Sequence, residues 1–92
     1  MNDMGMITTK QLQRVDLSII ERILYSLIQN GPEKKTALAR KTNLNYDYFI
    51  RYVEFLELID LVNRETSNNT EIVSVSALGM SFYLRRFSET KN

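Results

Sequence analysis

Residues 36–62, TALARKTNLNYDYFIRYVEFLELIDLV, decide the fold. Near their start, Thr42-Asn43 makes a turn, and Asn45 offers a side-chain oxygen that can cap a new helix. In that helix Phe49, Val53, Leu56 and Ile59 recur at intervals of four, three and three, the spacing of one buried stripe. Leu44 stands just before the cap, where it can act as a hydrophobic staple. The segment before the turn, Glu33 to Lys41, follows Pro32 and has only Leu38 and Ala39 suited to burial, so it reads as a helix of about two turns.

Downstream of Asp60 the pattern changes. Leu61-Val62 and Ile72, Val73 and Val75 are β-prone, and the polar turn Glu65 to Thr70, with Ser67-Asn68-Asn69, lies between them, which makes a hairpin. Ser76 can cap a last helix, Ala77 to about Ser88, with Leu78, Phe82 and Tyr83 on one side and Met80, Leu84 and Phe87 on another. Upstream, Leu17, Ile19, Ile20, Ile23, Leu24, Leu27 and Ile28 contain the helical series of a wide stripe, capped by Asp16 and stopped by Asn30-Gly31-Pro32. Thr8 and Gln11 form a capping-box pattern, and Leu12 and Val15 keep helical spacing, which gives a helical extension from about Thr9. The predicted elements are helices near 16–30, 34–41, 45–58 and 76–88 and a hairpin near 61–75: an α+β chain, mainly α. Residues 1–7 and 89–92 read as loose ends.

A chain of 92 residues supports one hydrophobic core, and 43% hydrophobic with 25% charged residues is the balance of a folded domain, so one domain over 1–92 is expected. Neither Cys nor His occurs. Disulfides, Ser-His and Cys-His nucleophile pairs, histidine switches and nearly all zinc, copper and haem sites are thereby excluded, so no metal and no cofactor is expected. Glu54 and Glu57 fall on a solvated face and Tyr46 and Tyr48 have no base beside them, which argues against an enzyme. Apolar runs are short and no charged segment leads into an apolar one, which excludes a membrane span and a secretory signal and points to the cytoplasm.

The net charge is +1, but it is unevenly spread. Residues 33–43 carry Lys34, Lys35, Arg40 and Lys41 against Glu33, whereas residues 44–71 carry Arg51 and Arg64 against Asp47, Glu54, Glu57, Asp60, Glu65 and Glu71. The field is dipolar, and a basic face must combine the first of these segments with Arg85, Arg86 and Lys91 at the chain end.

From Asp16 to Phe87 the order of elements resembles a winged helix-turn-helix domain, with a two-stranded wing and a C-terminal helix. Thr36-Ala37-Leu38-Ala39 with Thr42-Asn43-Leu44-Asn45 looks like the helix-turn-helix core. Phe49, Val53, Leu56, Leu61 and Val62 match the buried positions that follow it. Ser76-Ala77-Leu78-Gly79 followed by Phe82 is similar to the Thr-x-x-Gly-x-x-Phe that opens the last helix of compact archaeal and MarR-like regulators. Two features depart from the family pattern. Asp60 stands where Gly is usual, and residues 46–57 offer Arg51 alone against Asp47, Glu54 and Glu57.

The resemblance implies double-stranded DNA as partner, with the third helix entering the major groove by its N-terminal part. Asn45, Tyr46, Asp47, Ile50 and Arg51 are then presented to bases: Arg51 to guanine, Asn45 to adenine or a phosphate, Tyr46 to a phosphate or a thymine methyl. The same residues suit a plain solvated helix face equally well. Lys34, Lys35, Arg40 and Lys41 flank the helix that crosses the backbone, and Arg64, Asn68, Asn69 and Thr70 belong to the wing. Tyr48 and Tyr52, with Phe49 and Phe55, fit core and rim better than a base-stacking platform. Met80, Leu84 and Phe87 are left for a homodimer interface. A sequence-specific dimeric transcriptional regulator is the leading expectation. Its alternatives are a protein-interaction module, which the acidic third helix favours, and a nonspecific architectural DNA-binding protein, which the near-zero charge disfavours.

Overall fold

The computed structural model describes residues 14–88. The loose ends expected at 1–7 and 89–92, and the helical extension from about Thr9 as far as Gln13, lie outside the described residues. Helix α1 spans Leu17–Asn30, strand β1 Glu33–Lys34, α2 Lys35–Thr42, α3 Tyr46–Leu58, β2 Val62–Ser67, β3 Thr70–Val75 and α4 Ala77–Tyr83, with a π-helical turn Leu84–Ser88 closing the series. Among the described residues, four helices thus pack with a three-stranded antiparallel sheet in the order β1-β3-β2. The fold is the mainly helical α+β arrangement expected.

The caps predicted at Asp16, Asn45 and Ser76 are made, and the Thr8/Gln11 capping box lies outside the described residues. The Asp16 carboxylate accepts from the Ser18 amide, Asn45 Oδ1 from the amides of Asp47 and Tyr48, and Ser76 Oγ from the Gly79 amide. Such bonds satisfy donors that a helix start otherwise leaves open. Gly31 ends α1 at φ 78°, its amide bonded to the Leu27 carbonyl.

The core joins Ile19, Ile20, Ile23, Leu24 and Leu27 of α1 to Leu38 and Ala39 of α2 and to Phe49, Tyr52, Val53 and Leu56 of α3. Leu61, Val62 and Val73 bring in the sheet, and Tyr83 and Phe87 bring in the closing helix. Removing each large apolar side chain from water contributes roughly 1.5–3 kcal/mol, which is what holds these short elements together.

Four expectations are corrected. Glu33 and Lys34 do not begin a helix; they form β1, paired with Val73 and Ile72, so the sheet has a third strand. The polar turn shrinks to Asn68-Asn69, because Glu65, Thr66 and Ser67 pair with Ile72, Glu71 and Thr70. Both turn residues take positive φ, 50° and 64°, the two-residue geometry that matches strand twist and that Asn tolerates. Ile59 is 41% exposed, and Tyr52 takes the core place instead. Finally, Leu78 is exposed and Phe87 is buried, so the inward stripe of the last helix is Gly79, Tyr83 and Phe87, at intervals of four.

Candidate nucleic-acid interface

The turn between α2 and α3 is fixed from three directions. The buried Thr42 hydroxyl bonds back to the carbonyls of Leu38 and Ala39, each at 3.0 Å, which closes the last turn of α2. Asn43 follows in the left-handed region at φ 57°, its amide bonded to the Arg40 carbonyl. Arg22, on α1, donates from Nη1 to the Thr42 carbonyl at 2.8 Å. A guanidinium at a helix C-terminus satisfies an orphan carbonyl and complements the negative end of the dipole. Nothing in the local sequence of α2 marks Arg22 for this role.

The start of α3 is therefore presented on a rigid mount. Asn45, Tyr46, Asp47, Tyr48 and Arg51 are all exposed there, while Ile50 is half-buried and packs against the core. The Asn45 carbonyl oxygen is occupied by capping, which leaves its amide nitrogen outward. Asp47 and Glu54 stand four before and three after Arg51, so all three share one exposed face. The ring of Tyr52 meets Tyr48 edge-on at 5.3 Å and is fully buried, as core rather than as a stacking platform.

The cations fall into two groups. Lys35 pairs with Glu71, Lys41 Nζ lies 2.9 Å from Glu33 Oε2, and Arg64 Nε lies 2.8 Å from Glu57 Oε1 with its Nη1 3.6 Å from Glu71 Oε1. Lys34, Arg40 and Arg51 have no carboxylate at ion-pair distance among the described residues. The Lys41 partner is itself buried: the Glu33 side chain is 6% exposed, and its Oε1 has no hydrogen-bond partner among the described residues. Freeing Lys41 would leave that carboxylate buried and uncompensated, which is strongly unfavourable. Lys34 and Lys35 lie at the head of α2, and Arg40 and Lys41 at its other end, about 10 Å away along the axis.

The wing lies across the head of α2. A cleft of about 440 Å³ separates them, lined by Lys34, Lys35 and Thr36 on one wall and Asn69, Thr70 and Glu71 on the other. Arg64 reaches back from β2 to α3 rather than outward to the hairpin tip. On the last helix Leu84 is 49% exposed and Met80 is half-buried. Phe87 is buried in this chain's own core, its ring 5.4 Å from Tyr83 and 5.9 Å from Phe82.

A family model for winged helix-turn-helix domains matches residues 13–91. No curated protein matches the chain. Among solved structures, Sso10a-2, a DNA-binding protein from Sulfolobus solfataricus, superposes with a TM-score of 0.70 at 20% identity over 85% of this chain and 80% of that one. BpsR of Bordetella bronchiseptica, whose DNA binding is regulated by 6-hydroxynicotinic acid, gives 0.75 at 11% identity over 92% of this chain and 64% of that one. A probable transcriptional regulator from Pseudomonas aeruginosa gives 0.66 at 24% identity over 71% of this chain and 52% of that one, so the chain spans about half that protein's length. At such identities the likeness is one of fold. With the helix-turn-helix, the wing and the closing helix all in the matched order, the chain belongs to the winged helix-turn-helix family.

Proposed function

We propose that the chain binds duplex DNA in a sequence-dependent manner, as a small dimeric transcriptional regulator with no enzymatic activity and no cofactor. The observation that carries this reading is the N-terminal end of α3: Asn45 caps it, Arg22 and Thr42 brace it, and Tyr46, Asp47 and Arg51 stand exposed on it. In the major groove Arg51 would take guanine in a bidentate contact, with the Asn45 amide and the Tyr46 hydroxyl beside it. Lys34 and Arg40 are the cations best placed for phosphates, since neither is committed to a carboxylate among the described residues. The wing tip, Asn68, Asn69 and Thr70, would contact the backbone by hydrogen bonds alone.

A second copy docked on Leu84 and Met80 would set two α3 helices on half-sites about one DNA turn apart. Two phosphate cations in each protomer give four in a dimer, so log K should fall with log salt at a slope of about −3 to −4. Gel retardation of a mixed duplex pool over roughly 50–200 mM salt tests this; a flat salt response contradicts it. Asp47 and Glu54 beside Arg51 favour one competing reading, a module that binds a basic protein surface, and that reading predicts no retardation at any of these salt concentrations.

A further inference from the structure

Four side chains form an alternating chain of charge across the interface. Lys35, at the head of α2, pairs with Glu71 of β3; Glu71 faces Arg64 of β2; and Arg64 pairs with Glu57 near the end of α3. Glu71 is the shared member. It lines the cleft between the helix head and the wing, and although its side chain is 37% exposed, its Oε1 is shielded from solvent and lies between two cations. The hydrogen bond from Lys35, with the charges of Lys35 and Arg64, holds its carboxyl below the ordinary carboxylate range.

The geometry points to Glu71 as an internal competitor of DNA phosphate, which keeps Lys35 occupied and lowers the affinity of the interface for every duplex. The inference rests on the proposed DNA binding and says how that binding is held weak. A phosphate entering the cleft between α2 and the wing would meet Lys34 and Lys35 on one wall and the Glu71 carboxylate on the other. To take Lys35 it must displace Glu71, whose charge would then lie beside the phosphate with only Arg64 to balance it. Lys35 on its own would release one counterion; coupled to Glu71 it releases little. Glu65, exposed on β2 and in no ion pair among the described residues, is a control for the general field of the wing.

Binding of the full chain to a mixed duplex, followed by fluorescence anisotropy across salt, tests the inference with Glu71→Gln, Glu65→Gln and the Lys35→Ala, Glu71→Gln pair. Glu71→Gln should bind roughly tenfold tighter at about 50 mM salt and steepen the salt slope by about 1.8, the value of one added phosphate contact in each protomer of the dimer. Glu65→Gln should give a much smaller gain, and adding Lys35→Ala should abolish the gain of Glu71→Gln. An equal gain from Glu65→Gln, or a gain that survives the loss of Lys35, overturns the inference while leaving DNA binding in place. If neither wild type nor Glu71→Gln binds any duplex, the DNA reading itself fails and the inference goes with it.

Discussion

The backbone amide of Asp16 donates a 2.9 Å hydrogen bond to the hydroxyl of Tyr52, which lies thirty-six residues later in the middle of α3. The same hydroxyl donates to the Arg14 carbonyl at 3.5 Å. The residue that caps α1 is thus held by the helix that would read DNA, and the angle between the two helices is set by a polar bond as well as by packing.

Tyr52→Phe keeps the buried ring and removes both bonds. It should lower stability by about 1 kcal/mol, a fall of about 4–8 °C in Tm for a chain of this size, read by thermal or urea denaturation. Burial also pushes the Tyr52 phenol above its ordinary value of 10.0. Above that pH the unfolded chain loses the proton while the folded chain retains it, so stability should be full below about pH 10 and decline as pH rises further. Tyr52→Phe should make that alkaline decline shallower; an unchanged decline would show that another group drives it.

Gly79 lies against the carbonyl oxygen of Leu61, and a Cβ there would collide with it and come within 2.9 Å of Val75 Cγ2. Backbone cannot yield as a flexible side chain would, so Gly79→Ala should cost about 3 kcal/mol, at the upper end of overpacking effects. Asp60 is the converse case. It holds φ 63° after α3, where the family usually has Gly, and Asp60→Gly should stabilise by about 1 kcal/mol by removing the left-handed strain. Urea denaturation of both variants checks the pair, and a stabilised Gly79→Ala would contradict the packing described.

The helices are legible in the sequence because their ends are written in side chains: Asp16, Asn45 and Ser76 all cap as read, and Leu44 packs on the core behind its turn. Strand β1 is not legible, since two charged residues after Pro32 form a strand only when β3 is there to pair with them. Phe87 reads as outward because a short helix with apolar residues on two sides offers two possible core faces. The residue that marks the true face, Gly79, has no side chain to count. At the candidate site, the exposure of Tyr46, Asp47 and Arg51 follows from the core stripe, whereas Lys35, Lys41 and Arg64 are committed to carboxylates on other elements, which only the folded arrangement brings to them.

Leu84, 49% exposed beside half-buried Met80, is the side chain on which the proposed dimer turns. Sedimentation should show a dimer for wild type at tens of micromolar and a monomer for Leu84→Glu, with the helical signal of the two proteins the same. A Leu84→Glu dimer as tight as wild type would move the interface elsewhere.

Base readout by the start of α3 is tested most directly at Arg51. A site selected from random duplexes, titrated with wild type and Arg51→Ala by fluorescence anisotropy, should show a loss of roughly 1–3 kcal/mol per half-site for the variant and relaxed preference at one base pair of each half-site. Arg40→Ala, measured alongside, should instead weaken all sequences alike and flatten the salt slope by about one unit for each phosphate it no longer neutralises. An Arg51→Ala variant that binds the selected site as tightly as wild type, or a selection that enriches no site, would contradict base readout by this helix.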